Sequence, residues 1–171
     1  MKATLSDQRA ILDIQNFDFT QATLNNKAAN LPEIAAINSL TIKANNARDL
    51  RIAAETELSD VKRELLRAEG DVEQIVTRIT RDETRLASGT GAPKELEQLQ
   101  HELGSLAARR SELEEIELEI MMRIDVIKER ITEQSDLESA LAAEITELEI
   151  KKANEMAVIS TDLESITSER A

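Results

Sequence analysis

The sequence predicts an all-α fold: a long antiparallel coiled-coil helical hairpin with an additional N-terminal helix packed at its open end. Three observations predict it. A ladder of apolar residues spaced alternately three and four apart runs twice along the chain. A turn rich in Gly and Pro separates the two copies. The composition also offers little from which to build a thicker core: aromatics are 1%, with only Phe17 and Phe19, while charged residues are 32%. The first ladder reads Ile37, Leu40, Ala44, Ala47, Arg51, Ala54, Leu58, Val61, Leu65, Ala68, Val72, Ile75, Ile79, Asp82, Leu86. The second reads Leu96, Leu99, Leu103, Leu106, Arg110, Leu113, Glu117, Ile120, Ile124, Ile127, Ile131, Gln134, Glu138, Leu141, Ile145, Leu148. A mean spacing of 3.5 keeps one stripe facing a partner helix, which is the requirement of a coiled coil. Two such stripes joined by a short turn close into an antiparallel hairpin within one coiled-coil domain spanning 1–171.

The first helix, about 5–29, starts at Thr4-Leu5-Ser6-Asp7, a capping box with Asp in the acidic position. Its stripe is Ala10, Ile14, Phe17, Gln21, Leu24, Ala28, Leu31. A break is expected at 29–32, because Pro32 has no N–H and belongs in the first turn of a new helix, with Asn30 as the cap of that helix. The second helix runs over about 32–87. The tip, 88–93, holds Gly89 and Gly91 to leave a helix through positive φ, and Pro93 to begin the next. The third helix covers about 94–168 and outruns the second. Its apolar residues beyond Leu148, namely Met156, Ile159, Leu163 and Ile166, follow a shifted phase, as at a stutter. The first helix is the partner left to cover them, with Phe17 and Leu24 expected to face Ile159 and Leu163. The alternative is that this end dimerises.

The net charge of −13 is unevenly placed: Pro32–Leu86 has 9 basic and 11 acidic residues, whereas 93–168 has 8 and 19. An acidic third helix repels phosphate backbones, which argues against nucleic-acid binding by this segment. There is no cysteine, so neither a disulfide framework nor a thiolate metal site exists in this chain. The N-terminus lacks the apolar run of a signal peptide, and no stretch approaches the ~20 apolar residues that cross a bilayer. A soluble cytoplasmic protein without a membrane partner is expected.

Polar residues on the ladder, Arg51, Asp82, Arg110, Glu117, Gln134 and Glu138, read as register pins: a charge in a seam penalises every alignment that leaves it unpaired. Hairpin symmetry sets Glu117 across from Lys62–Arg67 and Arg51 across from Gln134. The run Glu112, Glu114, Glu115, Glu117, Glu119 points to several faces of a helix and reads as a solvated surface, not a metal site. Glu119 with Arg123 and Glu147 with Lys151 read as surface pairs four apart. His101 falls on the outer side. Met121-Met122 reads first as gap-filler and second as a sticky contact. Gly70 and Gly104 weaken helix interiors on an outer face. No catalytic set can be assembled, so no enzyme and no cofactor are expected.

The string Gly91-Ala92-Pro93-Lys94-Glu95-Leu96-Glu97-Gln98-Leu99-Gln100-His101-Glu102-Leu103 resembles the tip of a bacterial family of coiled-coil hairpin proteins that carry a C-terminal four-cysteine zinc ribbon. The opening Gln8–Asp18 and the Leu31-Pro32 break are similar to that family too, while Gly104 departs from it. The resemblance implies protein-partner work of the kind done by flagellar or type III secretion adaptors and chaperones linked to an alternative sigma factor. Zinc is implied only for a ribbon, which is absent from this chain. On this reading the chain is a non-enzymatic adaptor or scaffold that presents its tip, Gly89, Gly91, Pro93, Lys94 and Glu95, and its acidic helix to protein partners, with a homodimer allowed. The alternative is a nucleic-acid-associated regulator whose binding element is the missing ribbon, with the coiled coil as spacer. A third reading is a mechanical spacer or a prefoldin-like holder.

Overall fold

The computed structural model describes residues 4–170, which form three helices: α1 (Leu5–Ala29), α2 (Pro32–Ala87) and α3 (Pro93–Arg170). No strand occurs among the described residues. Every position of the two ladders is buried or half-buried except Arg110, so the spacing correctly marks the inward face of both long helices. The chain divides into two compact units, Arg48–Ser135 and Met1–Ala47 with Asp136–Ala171.

In the unit Arg48–Ser135 most of the buried apolar residues recur every seven positions. On α2 they are Ala54, Val61 and Ala68; on α3 they are Leu99, Leu106, Leu113, Ile120 and Ile127, with Ile124 buried between the last two. Small side chains on one helix thus meet large ones on the other, the complementarity that lets two helices approach and still fill the space between them. Half-buried Leu58, Leu65 and Ile131 complete the layer around Ile120, Ile124 and Ile127. Ion pairs cross the hairpin beside this core: Arg123 with Glu64 at 3.1 Å, and Arg130 with Glu57. Both partners step by seven, so the same contact repeats one heptad apart. Exposed pairs of this kind are each worth at most about 1 kcal/mol, and their larger effect is to disfavour slipped alignments. Arg123 therefore reaches across the hairpin to Glu64, where a local pair with Glu119 was expected.

The seam charges behave less uniformly than register pins should. Asp82 is buried, but its partners are Arg78 at 3.7 Å and Arg81 at 3.2 Å on its own helix. The crossing is made by Arg78, which also pairs with Glu102 on α3. Arg110 is exposed and pairs with Glu114 four residues on, so it does not pin the seam. Arg51 pairs with Glu55 on its own helix at 2.7 Å. Gln134 lines a small pocket with Leu50, Ala53 and Ala54, which bears out the predicted apposition of its region with Arg51.

Gly104 is exposed, and a Cβ added there would meet nothing within 4 Å. Gly104→Ala is therefore expected to stabilise the chain by about 1 kcal/mol, because Ala restricts the unfolded chain and adds no clash. A rise in melting temperature of roughly 2–4 °C in thermal unfolding followed by circular dichroism would register it.

The other unit contains α1, the first turns of α2 and the end of α3. Thr4 caps α1 as predicted: its Oγ1 accepts from the Asp7 N–H at 3.2 Å, and its own N–H donates to Asp7 Oδ2 at 2.9 Å. At the break, Asn30 closes α1 rather than opening α2. Its backbone N–H donates to the carbonyls of Asn26 and Lys27, and its side-chain amide also donates to the Asn26 carbonyl. Proline at the start of α2 needs no cap for a missing N–H, which leaves Asn30 free to serve the preceding helix. Leu31, only 4% exposed, anchors the break.

Two ion pairs, Lys27 with Glu155 at 3.2 Å and Arg170 with Asp18 at 3.0 Å, set α1 antiparallel to the end of α3. They lay the Phe17–Leu24 stretch of α1 along the end of α3, with Leu24 close to the level of Ile159, in line with the expected facing of Phe17 and Leu24 with Ile159 and Leu163. On α3 the buried or half-buried positions pass from Leu148 to Lys152 and then to Ile159, an eleven-residue step. Seven plus an inserted four is the stutter expected from the sequence. Met156 is 42% exposed and lies off the stripe, contrary to expectation. Ala10 and Ile14 are exposed as well, contrary to their place on the expected stripe of α1.

The Asp7 carboxyl is held below its usual 3.8 by hydrogen bonds from the Thr4 side chain and backbone. A depressed carboxylate contributes above its unfolded pKa, and the contribution is lost as pH falls through the folded value. The first turn of α1 is accordingly expected to fray below about pH 4, and Asp7→Asn to remove that pH dependence. Amide exchange of residues 5–10 measured against pH reports both.

Candidate functional site

The tip lies in the unit Arg48–Ser135 and is built by backbone rather than by side chains. Gly89 takes φ 62° and Gly91 φ 149°, conformations in which a Cβ is strained. The N–H of Ser88 donates to the Thr84 carbonyl and that of Gly89 to the Leu86 carbonyl, which closes α2. Ala92 then opens α3. Its carbonyl accepts from Glu95 and Leu96, and its N–H donates to Glu95 Oε2 at 3.3 Å, with Pro93 in the first turn. Glu95 thus supplies the acidic half of a capping box in which Ala92 has no hydroxyl to return. A Cβ at Gly91 would sit 3.1 Å from that same carboxylate oxygen, so Gly91 also makes room for the cap.

The five tip residues read from the sequence therefore separate into two roles. Gly89, Gly91, Pro93 and Glu95 shape the turn, whereas Lys94 is exposed and takes no part in the turn's hydrogen bonds. Behind the turn a polar groove of about 510 Å³ is lined by Arg85, Thr90, Glu95, Leu96, Gln98, Leu99 and Glu102.

A second surface was read in the sequence only at Met121-Met122, and there only as the second choice, a sticky contact. On α3 Leu118, Met122 and Val126 are 58%, 69% and 64% exposed, spaced by four and off the buried ladder, with Val126 next to Ile127 at the edge of the seam. Met121 and Met122 are both exposed and so are not gap-fillers. Met122 and Val126 line a groove of about 470 Å³ whose rim carries Glu57, Glu119, Arg123 and Arg130. The two ion pairs that cross the hairpin thus also border this apolar strip. The signal was present in the spacing: apolar residues four apart, off the ladder, on a helix that already has a complete inward face.

The acidic run divides as helical geometry requires, with Glu112 paired to Arg109 at 2.8 Å and Glu114 to Arg110 at 2.7 Å. Among the described residues no group of three His, Cys, Asp or Glu is placed to hold a metal ion. Among those residues no helix is long and apolar enough to cross a membrane.

A model of the CT398-like coiled coil hairpin domain matches residues 14–171. An uncharacterized Mycobacterium tuberculosis protein, Rv2229c, is 34% identical over 149 residues, covering 85% of this chain and 59% of that protein. An uncharacterized Mycobacterium leprae protein, ML1638, is 26% identical over 119 residues, covering 70% of this chain and 51% of its own length. A solved Mycobacterium smegmatis structure superposes with a TM-score of 0.81 at 25% identity, over 99% of this chain and 70% of that one. The chain thus spans between half and three fifths of the length of these curated relatives.

Proposed function

We propose that this chain, which belongs to the CT398-like coiled coil hairpin family, works as a non-enzymatic adaptor or scaffold that presents α3 and the tip to other proteins. The observation that carries this reading is the exposed strip Leu118, Met122 and Val126 on the acidic helix. A two-helix seam needs one apolar face, and α3 already has it; a second one bordered by charged residues has the composition of a protein-binding surface. Methionine in such a strip adapts its shape to what it meets. The charge of 93–168, 8 basic against 19 acidic residues, favours a partner with a basic rim over a phosphate backbone.

The test is photocrosslinking from single positions in cells of the source organism. A crosslinker replacing Met122 or Lys94 is expected to capture a defined protein, and one at His101, on the outer side of α3, is not. Capture is expected to be lost on Val126→Glu, or on Lys94→Glu for a contact at the tip, with helical content unchanged. Lys94 is the appropriate tip position because changing Glu95 would also remove the Ala92 cap. Capture of nucleic acid in place of protein would overturn this reading in favour of the regulator alternative.

A further inference from the structure

We propose that the groove behind the tip binds the C-terminal carboxylate of a partner chain, held by Arg85. The proposal rests on the reading of the tip as a surface presented to proteins. Register is what singles out Arg85. Charged side chains flank the seam at heptad spacing and meet across it as Glu57 with Arg130, Glu64 with Arg123, and Arg78 with Glu102. One heptad nearer the tip than Arg78 and Glu102 stand Arg85 and Glu95. These two carry the same charges in the same order and line the same groove, yet they do not pair. Glu95 Oε2 accepts instead from the Ala92 N–H at 3.3 Å. Among the described residues none gives the Arg85 side chain an ion pair or a hydrogen bond. The turn has thus taken the carboxylate that the register assigns to this guanidinium.

The other residues of the groove select the ligand. Glu95 and Glu102 line it too, and they would repel a bare anion such as phosphate. Each keeps one unused oxygen, Glu95 Oε1 and Glu102 Oε2, as an acceptor. Leu96, half-buried, and Leu99, buried, give the groove an apolar side. The end of a peptide brings a complement to all three features. Its carboxylate offers two oxygens to the guanidinium fork, its backbone N–H groups meet the acids, and its last side chain meets the leucines. An Asp or Glu side chain within a chain holds its carboxylate away from its backbone, so it meets Arg85 without bringing the N–H donors and an apolar side chain to the same place. The groove volume of about 510 Å³ lies within the roughly 300–1,000 Å³ of sites that hold small ligands. Arg85, Glu95 and Glu102 are all exposed, so a chain end alone binds weakly and reversibly.

Chemical-shift titration of the full chain with N-acetyl-alanyl-leucine tests the site. The expected result is a saturable shift, in the millimolar range, of the Arg85 Nε–H and of the Leu96 and Leu99 methyl groups. The C-terminal amide of the same peptide is expected to bind at least about fivefold more weakly, and the free acid to lose the same factor on Arg85→Gln. That variant keeps its fold by circular dichroism, because the Arg85 side chain has no partner to lose. N-acetyl-aspartate N-methylamide, whose carboxylate is on a side chain, is expected to bind more weakly than the peptide. No saturable shift, equal binding of the amide, or undiminished binding to Arg85→Gln overturns the proposal. Equal or tighter binding of the aspartate derivative overturns the assignment to a chain end. The adaptor reading fails separately: crosslinkers at Met122 and Lys94 that capture no protein, with the peptide still bound, would sink that reading and leave the site. Capture that persists without any peptide shift would do the reverse.

Discussion

Ile120→Ala is expected to lower the unfolding free energy by about 3 kcal/mol, within the range for deleting a buried branched side chain. Ile120 is 3% exposed and belongs to the cluster with Ala54, Val61, Ala68, Ile124 and Ile127. Its counterparts on α2 are Ala68 and, beside it, half-buried Leu65, and the small one decides the size of the effect. Ala68 supplies a single methyl, so much of the volume of the layer comes from α3. Truncating Ile120 leaves an alanine facing Ala68, and the neighbouring ion pair Arg123–Glu64 resists the inward shift that would close the gap. The reciprocal change, Ala68→Leu, adds bulk where the helices approach and is expected to cost less, about 1–3 kcal/mol. Urea denaturation of the two variants gives the ranking. Equal or smaller loss for Ile120→Ala would mean that the layer collapses freely, and the small-against-large account would fail.

Much of this arrangement was legible in the sequence, for one physical reason. A helix in a two-helix seam has a single inward stripe, so residue spacing alone states which side chains are covered. That is why Leu99, Leu113 and Ile127 could be named as buried before any partner was known. The Gly and Pro positions of the tip were legible for a comparable reason, since positive φ and a missing N–H are properties of the residue itself. Partnership was legible only in part. Arg123 could pair with Glu119 on its own helix or with Glu64 across the hairpin, and only the register decides between them. Asp82 shows the same limit: the ladder marks it as inward, but not that Arg78 and Arg81 on its own helix would meet its charge. The sticky contact at Met121-Met122 was ranked second and its extension to Leu118 and Val126 missed, because a search for one stripe per helix treats every remaining apolar residue as incidental.

Ile159→Ala tests a different part of the fold, with an expected local cost of about 3 kcal/mol concentrated on α1. Ile159 is the largest fully buried side chain, at 2% exposure. By contrast α1 has no buried residue of its own. Its attachment to α3 therefore rests on half-buried side chains such as Leu24 and Ala28, on the ion pairs Lys27–Glu155 and Asp18–Arg170, and on what α3 offers them. A helix of 25 residues without tertiary support is marginal in water, and two exposed ion pairs add little. Removing the Ile159 side chain takes away the surface against which Leu24 packs, and α1 should detach before the rest unfolds. Hydrogen exchange is expected to show lost protection across Leu5–Ala29, with the amides of 48–135 unchanged. Full protection of α1 in the variant would mean that its hold on α3 does not pass through Ile159, and the pairing inferred from the two salt bridges would have to be redrawn.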